Sequence, residues 1–309
     1  MKKWKIKVPG STSNLGPGFD SVGLAINRYL EMEVTLSNRW EFIYHTPEFE
    51  QVPTNEENII YKAFEFAAKT SGHDGTLPAC RVEVTSELPL ARGLGSSAAA
   101  IVAGIELADV LLDLSLSKSE KTRFASLYEG HPDNVAASVH GGLIIASHTA
   151  AETIVVPMGT PRVDMIIMIP TNQLMTSESR GVLPTSLSFR EAIEGSSIAN
   201  VMIAALLKGD VETAGKMMKL DIFHQPYRSK FVPDLERIVE IAPGIDVDGV
   251  ALSGAGPSVM CYTKTGNGIK AVEKLKEAFP SYDCQLLYPA ENGSVVSVLE
   301  AHYSRKTCD

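Results

Sequence analysis

Residues 87–100, Glu-Leu-Pro-Leu-Ala-Arg-Gly-Leu-Gly-Ser-Ser-Ala-Ala-Ala, constrain the fold most: a turn on Pro89, Gly93 and Gly95 runs into an alanine-rich helix through two serines. Glycine lets a backbone bend closely around a ligand, and the first turn of a helix leaves N–H groups without intrahelical acceptors. Such a junction is an anion cradle, because free N–H groups and the positive end of the helix dipole favour phosphate without a lysine. Ser96 and Ser97 add hydroxyls suited to phosphate oxygens and to a bridging magnesium ion. Taken alone, the same residues also read as a glycine turn with serine caps. The sequence has no G-x-x-x-x-G-K-[ST] loop and no G-x-G-x-x-G after a strand, which leaves the P-loop and Rossmann readings without support.

Two further glycine-serine segments flank this one at long range. Residues 9–20, Pro-Gly-Ser-Thr-Ser-Asn-Leu-Gly-Pro-Gly-Phe-Asp, follow the first strand, and residues 253–259, Ser-Gly-Ala-Gly-Pro-Ser-Val, link two late strands. Each reads singly as a tight turn. Three such loops, far apart in sequence, are most economically explained by one shared site.

Period-2 alternation predicts strands over 4–8 and 29–36, with short β runs at 40–44, 80–85, 143–146 and 153–156. Helical spacing predicts helices over 58–69 and 97–112. Strands cluster before helices, which favours an α+β fold over strict βαβ alternation. At 309 residues the chain exceeds what one core usually fills. The break at 158–163, Met-Gly-Thr-Pro-Arg-Val, divides it into domains 1–160 and 161–309. The second half is expected to carry helices at 188–208, 211–219, 233–241 and 269–279. Its strands, 165–169, 249–252, 258–262, 285–288 and 295–299, are expected to form a sheet of its own.

Lys and Arg number 28 against 37 Asp and Glu, a formal charge of −9. An acidic surface without a basic stripe argues against nucleic acid and anionic membranes as partners. No apolar run approaches the roughly 18 residues a bilayer requires, and the amino terminus lacks the pattern of a secretion signal, so a cytoplasmic protein is expected. Cys80, Cys261, Cys284 and Cys308 form no C-x-x-C pair and read as reduced core thiols. His45, His73, His140, His148, His224 and His302 show no ligand spacing and read as surface or packed side chains.

In their order and separations the three blocks resemble the motifs of the GHMP kinases, the small-molecule kinase superfamily named for galactokinase, homoserine kinase, mevalonate kinase and phosphomevalonate kinase. The likeness covers essentially the whole chain. It implies an α+β fold of two domains, the second ferredoxin-like, with ATP and substrate in the cleft between them. It implies that Pro89, Leu90, Ala91, Arg92, Gly93, Leu94, Gly95, Ser96, Ser97 and Ala98 wrap the ATP phosphates. Gly254, Ala255 and Gly256 would complete that site.

Outside the phosphate loop, the chain is similar to the branch that phosphorylates L-homoserine in threonine biosynthesis, with ATP as co-substrate and Mg2+. That likeness implies that Asn14 and Asp20 grip the amino acid and that His131 and Asn134, in Glu129-Gly-His-Pro-Asp-Asn134, line its pocket. Glu129 and Ser97 would hold magnesium. Arg180 and Arg228 fall where the family clamps the substrate carboxylate, and Thr176 lies near the reacting hydroxyl. Asn14, Thr176 and Arg180 would serve the reaction directly, and Asp133 would be structural. The resemblance suggests a homodimer, which no stripe in the sequence supports independently. Two other readings share the phosphate loop: a sister kinase of mevalonate, a sugar or a diphosphocytidyl alcohol, and a non-catalytic ATP sensor.

Overall fold

Along β1 (Lys3–Ser13), Trp4, Ile6 and Val8 point into the core. Lys5 and Lys7 point outward and pair with Glu31 of β2 (Val22–Leu36) at 2.7 and 2.8 Å. The computed structural model describes residues 2–299; Met1 and residues 300–309, with His302 and Cys308, lie outside the described residues. β1 and β2 pair antiparallel, with a bulge at Pro9/Gly10 that turns the end of β1 toward the cleft described below. β3 (Glu41–Tyr44), β4 (Cys80–Ser86), β5 (Leu143–His148) and β6 (Thr153–Pro157) extend the sheet.

A helical layer covers one face: α1 (Ile59–Thr70), α2 (Ser96–Leu112), α3 (Lys118–Glu129) and α4 (Asp133–His140). α2 packs against β1, α1, α3 and α4, so its residues from Ala98 to Ala108 are buried on every side. That enclosure explains the alanine-rich sequence, since small side chains let neighbours approach closely. Neither α3 nor α4 is among the sequence expectations, although Ser117 and Glu120 form a capping box that marks the start of α3.

The second half opens with β7 (Asp164–Ile169), α5 (Thr176–Arg180), α6 (Phe189–Lys208) and α7 (Val211–Met218). It continues with α8 (Gln225–Arg228), α9 (Leu235–Ile241), β8 (Gly249–Leu252), β9 (Val259–Thr263), α10 (Gly268–Ala278) and β10 (Asp283–Leu287). Its four strands run antiparallel in the order β10-β7-β9-β8, the ferredoxin-like arrangement. Two expectations are corrected here. β11 (Val295–Leu299) does not join this sheet but returns to pair with β1, so the second half does not run unbroken from 161 to the end. Nor are the cores separate. Ile166, Met168, Val259 and Cys261 face α9 and α10, whereas Met165, Ile167, Met260 and Tyr262 on the opposite face belong to the same apolar cluster as Trp4 and Ile6. No described helix is long and apolar enough to cross a membrane.

Asn58 ties this framework together at the start of α1. Its Oδ1 accepts from Ile60 N–H at 2.9 Å, while Nδ2 donates to Pro53 O at 2.6 Å and lies 2.8 Å from Tyr44 Oη. Asn58→Ala is expected to cost about 2 kcal/mol in a urea unfolding curve, since it removes a cap and strands buried polar atoms. A shift below about 0.5 kcal/mol would show that the cap is dispensable.

Candidate active site

The three glycine-serine segments lie side by side. Ser11 N–H donates to Leu94 O at 3.1 Å, and Gly254 N–H donates to Ser13 O at 3.2 Å. Ser253 Oγ donates to Gly93 O at 2.6 Å and lies 2.9 Å from Thr12 Oγ1. This seam demands glycine. Gly93 has φ +74°, and a Cβ there would sit 2.1 Å from Ser253 O; at Gly95, with φ +71°, it would sit 2.4 Å from Ser11 Oγ. Gly95 also stands at the N-cap of α2 without a side chain to cap it, so the first-turn N–H groups from Ser96 onward open toward the cleft.

These segments line a cleft that is bordered by every site residue expected from the sequence except Leu90 and Leu94. Leu94 is buried in the core and contributes its carbonyl to the seam. Leu90 lines an adjoining recess. Arg92, which lines the cleft, also braces the loop from within the protein. Its guanidinium is committed to Pro170 O at 3.1 Å, Thr171 O at 3.1 Å, Leu90 O at 3.3 Å and the Glu48 carboxylate, which staples the loop to the segment after β7.

At the other end of the cleft, Arg180 makes a two-point contact with Asp20, with Nη1 to Oδ2 at 3.1 Å and Nη2 to Oδ1 at 2.6 Å. Burial lowers the Arg180 pKa, but the Asp20 hydrogen bond and charge outweigh it and hold the group above its ordinary value. Asn14, at φ +70°, accepts from Asp20 N–H through Oδ1 and donates to Gly254 O through Nδ2. It therefore shapes the loop that carries Asp20. Arg228 is 2% exposed, and among the described residues no carboxylate lies within salt-bridge distance of it. Burial, reinforced by the nearby Arg180 charge, pushes it down to about 10. Phe19 lies between the two arginines, its ring centre 5.5 and 5.3 Å from their guanidinium carbons.

His131 and Asp133 form a close pair at 2.5 Å. Burial drives the His131 ring down, but the Asp133 hydrogen bond and charge reverse this and leave it raised. Burial likewise pushes the Asp133 carboxyl up, and His131 brings it below its usual value. Asn134 bridges Ser11 Oγ and Ser13 Oγ, each at 2.9 Å, linking the second block to the first. Glu129 is mostly buried, and burial, with Asp133 adding, raises its pKa. The nearest His131 ring nitrogen is 3.9 Å away, beyond hydrogen-bonding reach. Glu129, Ser96, Ser97, Thr176 and Arg180 border both the cleft and the adjoining recess.

That recess has apolar walls from Leu30, Tyr44, Phe49, Val52, Ile59 and Leu90, with the Tyr44 and Phe49 rings stacked 5.4 Å apart. Apart from Leu90, none of these walls was legible as a site in the sequence, where they look like ordinary core. Phe19 and Ser13 were also missed, although both stand inside the first glycine-serine block.

The sequence signature described as GHMP kinases N terminal domain spans residues 58–142, and that of GHMP kinases C terminal spans 202–281. A homoserine kinase of Halalkalibacterium halodurans is 47% identical over 291 residues, 94% of each chain. One from Shouchella clausii is 48% identical over 299 residues, 96% of this chain and 99% of the relative. The crystal structure of a homoserine kinase from Cytophaga hutchinsonii superposes with a TM-score of 0.82 at 25% identity, covering 96% of this chain and 97% of the other. A mevalonate kinase structure, at 15% identity and a TM-score of 0.68, shares the fold over 93% of this chain and 99% of its own. With its seam of three loops and relatives matching nearly end to end, the chain belongs to the GHMP kinase family.

Proposed function

We propose that the chain is an ATP:L-homoserine O-phosphotransferase, moving the γ-phosphoryl group of ATP to the side-chain hydroxyl of L-homoserine to give O-phospho-L-homoserine and ADP. One observation carries the substrate assignment: a buried guanidinium, Arg228, with no carboxylate partner among the described residues, next to an Asp20–Arg180 pair. Burying an unpaired charge is costly unless a ligand completes it. A zwitterionic amino acid matches the arrangement, its ammonium toward Asp20 and its carboxylate toward the arginines. Sugars offer no carboxylate for Arg228, and neither sugars nor mevalonate offer an ammonium to set beside Asp20. Near end-to-end likeness to homoserine kinases supports the same reading.

The N–H groups at the start of α2 suit the triphosphate, and the apolar recess suits a planar base. Ser97 and Glu129 offer hard oxygen donors in the same cleft, which fits Mg2+. Bound there, magnesium supplies charge neutralisation across the phosphates. Phosphoryl transfer asks chiefly for alignment and charge stabilisation, so these residues need only hold the hydroxyl in line. Arg180 stands between the substrate end and the recess, with Thr176 at the first turn of α5. We also take residues 1–160 with the returning β11 as one lobe and the ferredoxin-like segment as the other.

A coupled ADP-release assay with homoserine, mevalonate, galactose and shikimate tests the proposal. ADP release is expected with homoserine alone. Release with another acceptor instead would overturn the substrate, and none at all would favour an ATP sensor. EDTA should stop turnover and added MgCl2 restore it, while Glu129→Gln should raise the half-saturating Mg2+ concentration by at least about tenfold. An unchanged Mg2+ requirement would move the ligand role elsewhere.

A further inference from the structure

His224 is fully buried just before α8, between the segments that hold the substrate end of the cleft, and no spacing in the sequence marks it. Its Nε2 lies 2.9 Å from Gly16 O, in the loop that carries Asn14 and Asp20, and its Nδ1 lies 3.2 Å from Arg228 Nη1. The partners dictate the protonation. A carbonyl oxygen only accepts, so Nε2 carries the proton; an arginine N–H only donates, so Nδ1 carries none. The Asp221 carboxylate, 3.3 Å from Nε2, favours a charged ring, but a second ring proton would set two donors head to head at Nδ1. Burial is the largest influence and, with the Arg228 charge, takes the ring down to about 4 against the pull of Asp221. The ring also stacks on Phe19, with centroids 5.3 Å apart.

The consequence falls on Arg228. A guanidinium has five N–H groups. Nε–H donates to Ser179 O at 3.2 Å, and Nη1 serves His224 Nδ1 and Gly254 O, each at 3.2 Å. Nη2 is left with no protein acceptor among the described residues, on a side chain that lines the cleft. We propose that His224 is a positioning residue: as a neutral Nε2–H imidazole it ties Arg228 to the Asn14–Asp20 loop and holds the two Nη2 donors ready for the substrate carboxylate. This rests on Arg228 being the carboxylate clamp of the proposed reaction.

The test compares His224→Phe, which keeps the stack and loses both hydrogen bonds, with His224→Asn, whose Oδ1 reaches the Nδ1 position. His224→Phe should raise KM for homoserine about 10- to 100-fold while KM for ATP stays within about twofold. His224→Asn should recover most of that loss. An aminopropanol carrying the hydroxyl and amine of homoserine without its carboxylate should be used equally well by wild type and His224→Phe. Should His224→Phe fail to fold in a thermal melt, His224→Gln replaces it, since its amide reaches Gly16 O and removes only the Nδ1 acceptor of Arg228; the same homoserine-only rise is expected. An unmoved KM for homoserine, a parallel rise for ATP, or an equal loss on the aminopropanol would overturn the inference alone. No phosphorylation of homoserine by wild type would remove the proposed function, and the inference with it.

Discussion

Replacing Arg228 with methionine is expected to lower kcat/KM for homoserine by between about 30- and 4000-fold, equivalent to about 2 to 5 kcal/mol, while KM for ATP holds. The size follows from burial. In a site closed to water, a charge-assisted contact to carboxylate cannot be replaced by solvent. Stability should fall no further than the lower end of that range. Arg228 has no carboxylate partner among the described residues, so its removal strands no opposite charge, and Gly254 O keeps a donor in Asn14 Nδ2. His224 Nδ1 and Ser179 O lose theirs, which limits the expected destabilisation to about 2 kcal/mol. Steady-state kinetics and a urea curve on the same preparation decide the matter. A homoserine KM within about threefold of wild type would remove Arg228 from the site.

Gly93→Ala is expected to reduce kcat/KM for ATP by at least about 100-fold, because reacting groups tolerate little misplacement. The new Cβ would lie 2.1 Å from Ser253 O and 3.0 Å from Gly256 O, both backbone atoms of the third loop, so the seam itself must open. The positive φ adds roughly 1 to 2 kcal/mol of strain. Gly209→Ala provides the control. That residue has φ +73°, but its Cβ would meet nothing within 4 Å, so only the strain applies and ATP use should be unchanged. Equal kinetics in the two variants would show that the contact between the loops is not needed for turnover.

Much of the site was legible because it is built from local rules. Gly93, Gly95 and Ser96 announce a bend and a helix start wherever they occur, and the alternation of Trp4, Ile6 and Val8 reports one buried face. α3 escaped because it is largely polar and α4 because it is only 8 residues long, and the walls around Tyr44 and Phe49 escaped because an aromatic residue in a cavity looks in sequence like one in a core. The partners of Arg92 were hidden for a related reason: its reach lets it satisfy carbonyls on the segment after β7, far away in the chain.

The α+β character, the order of the three loops and the helix start after Gly95 all follow from residues close in the chain. The folded chain was needed to show that Val295–Leu299 rejoins β1, that one face of the second sheet shares the first core, and that Arg180 is paired with Asp20 while Arg228 has no carboxylate partner among the described residues. Those outcomes are competitions among partners far apart in sequence. Burial and geometry settle them, and neither can be read from spacing alone.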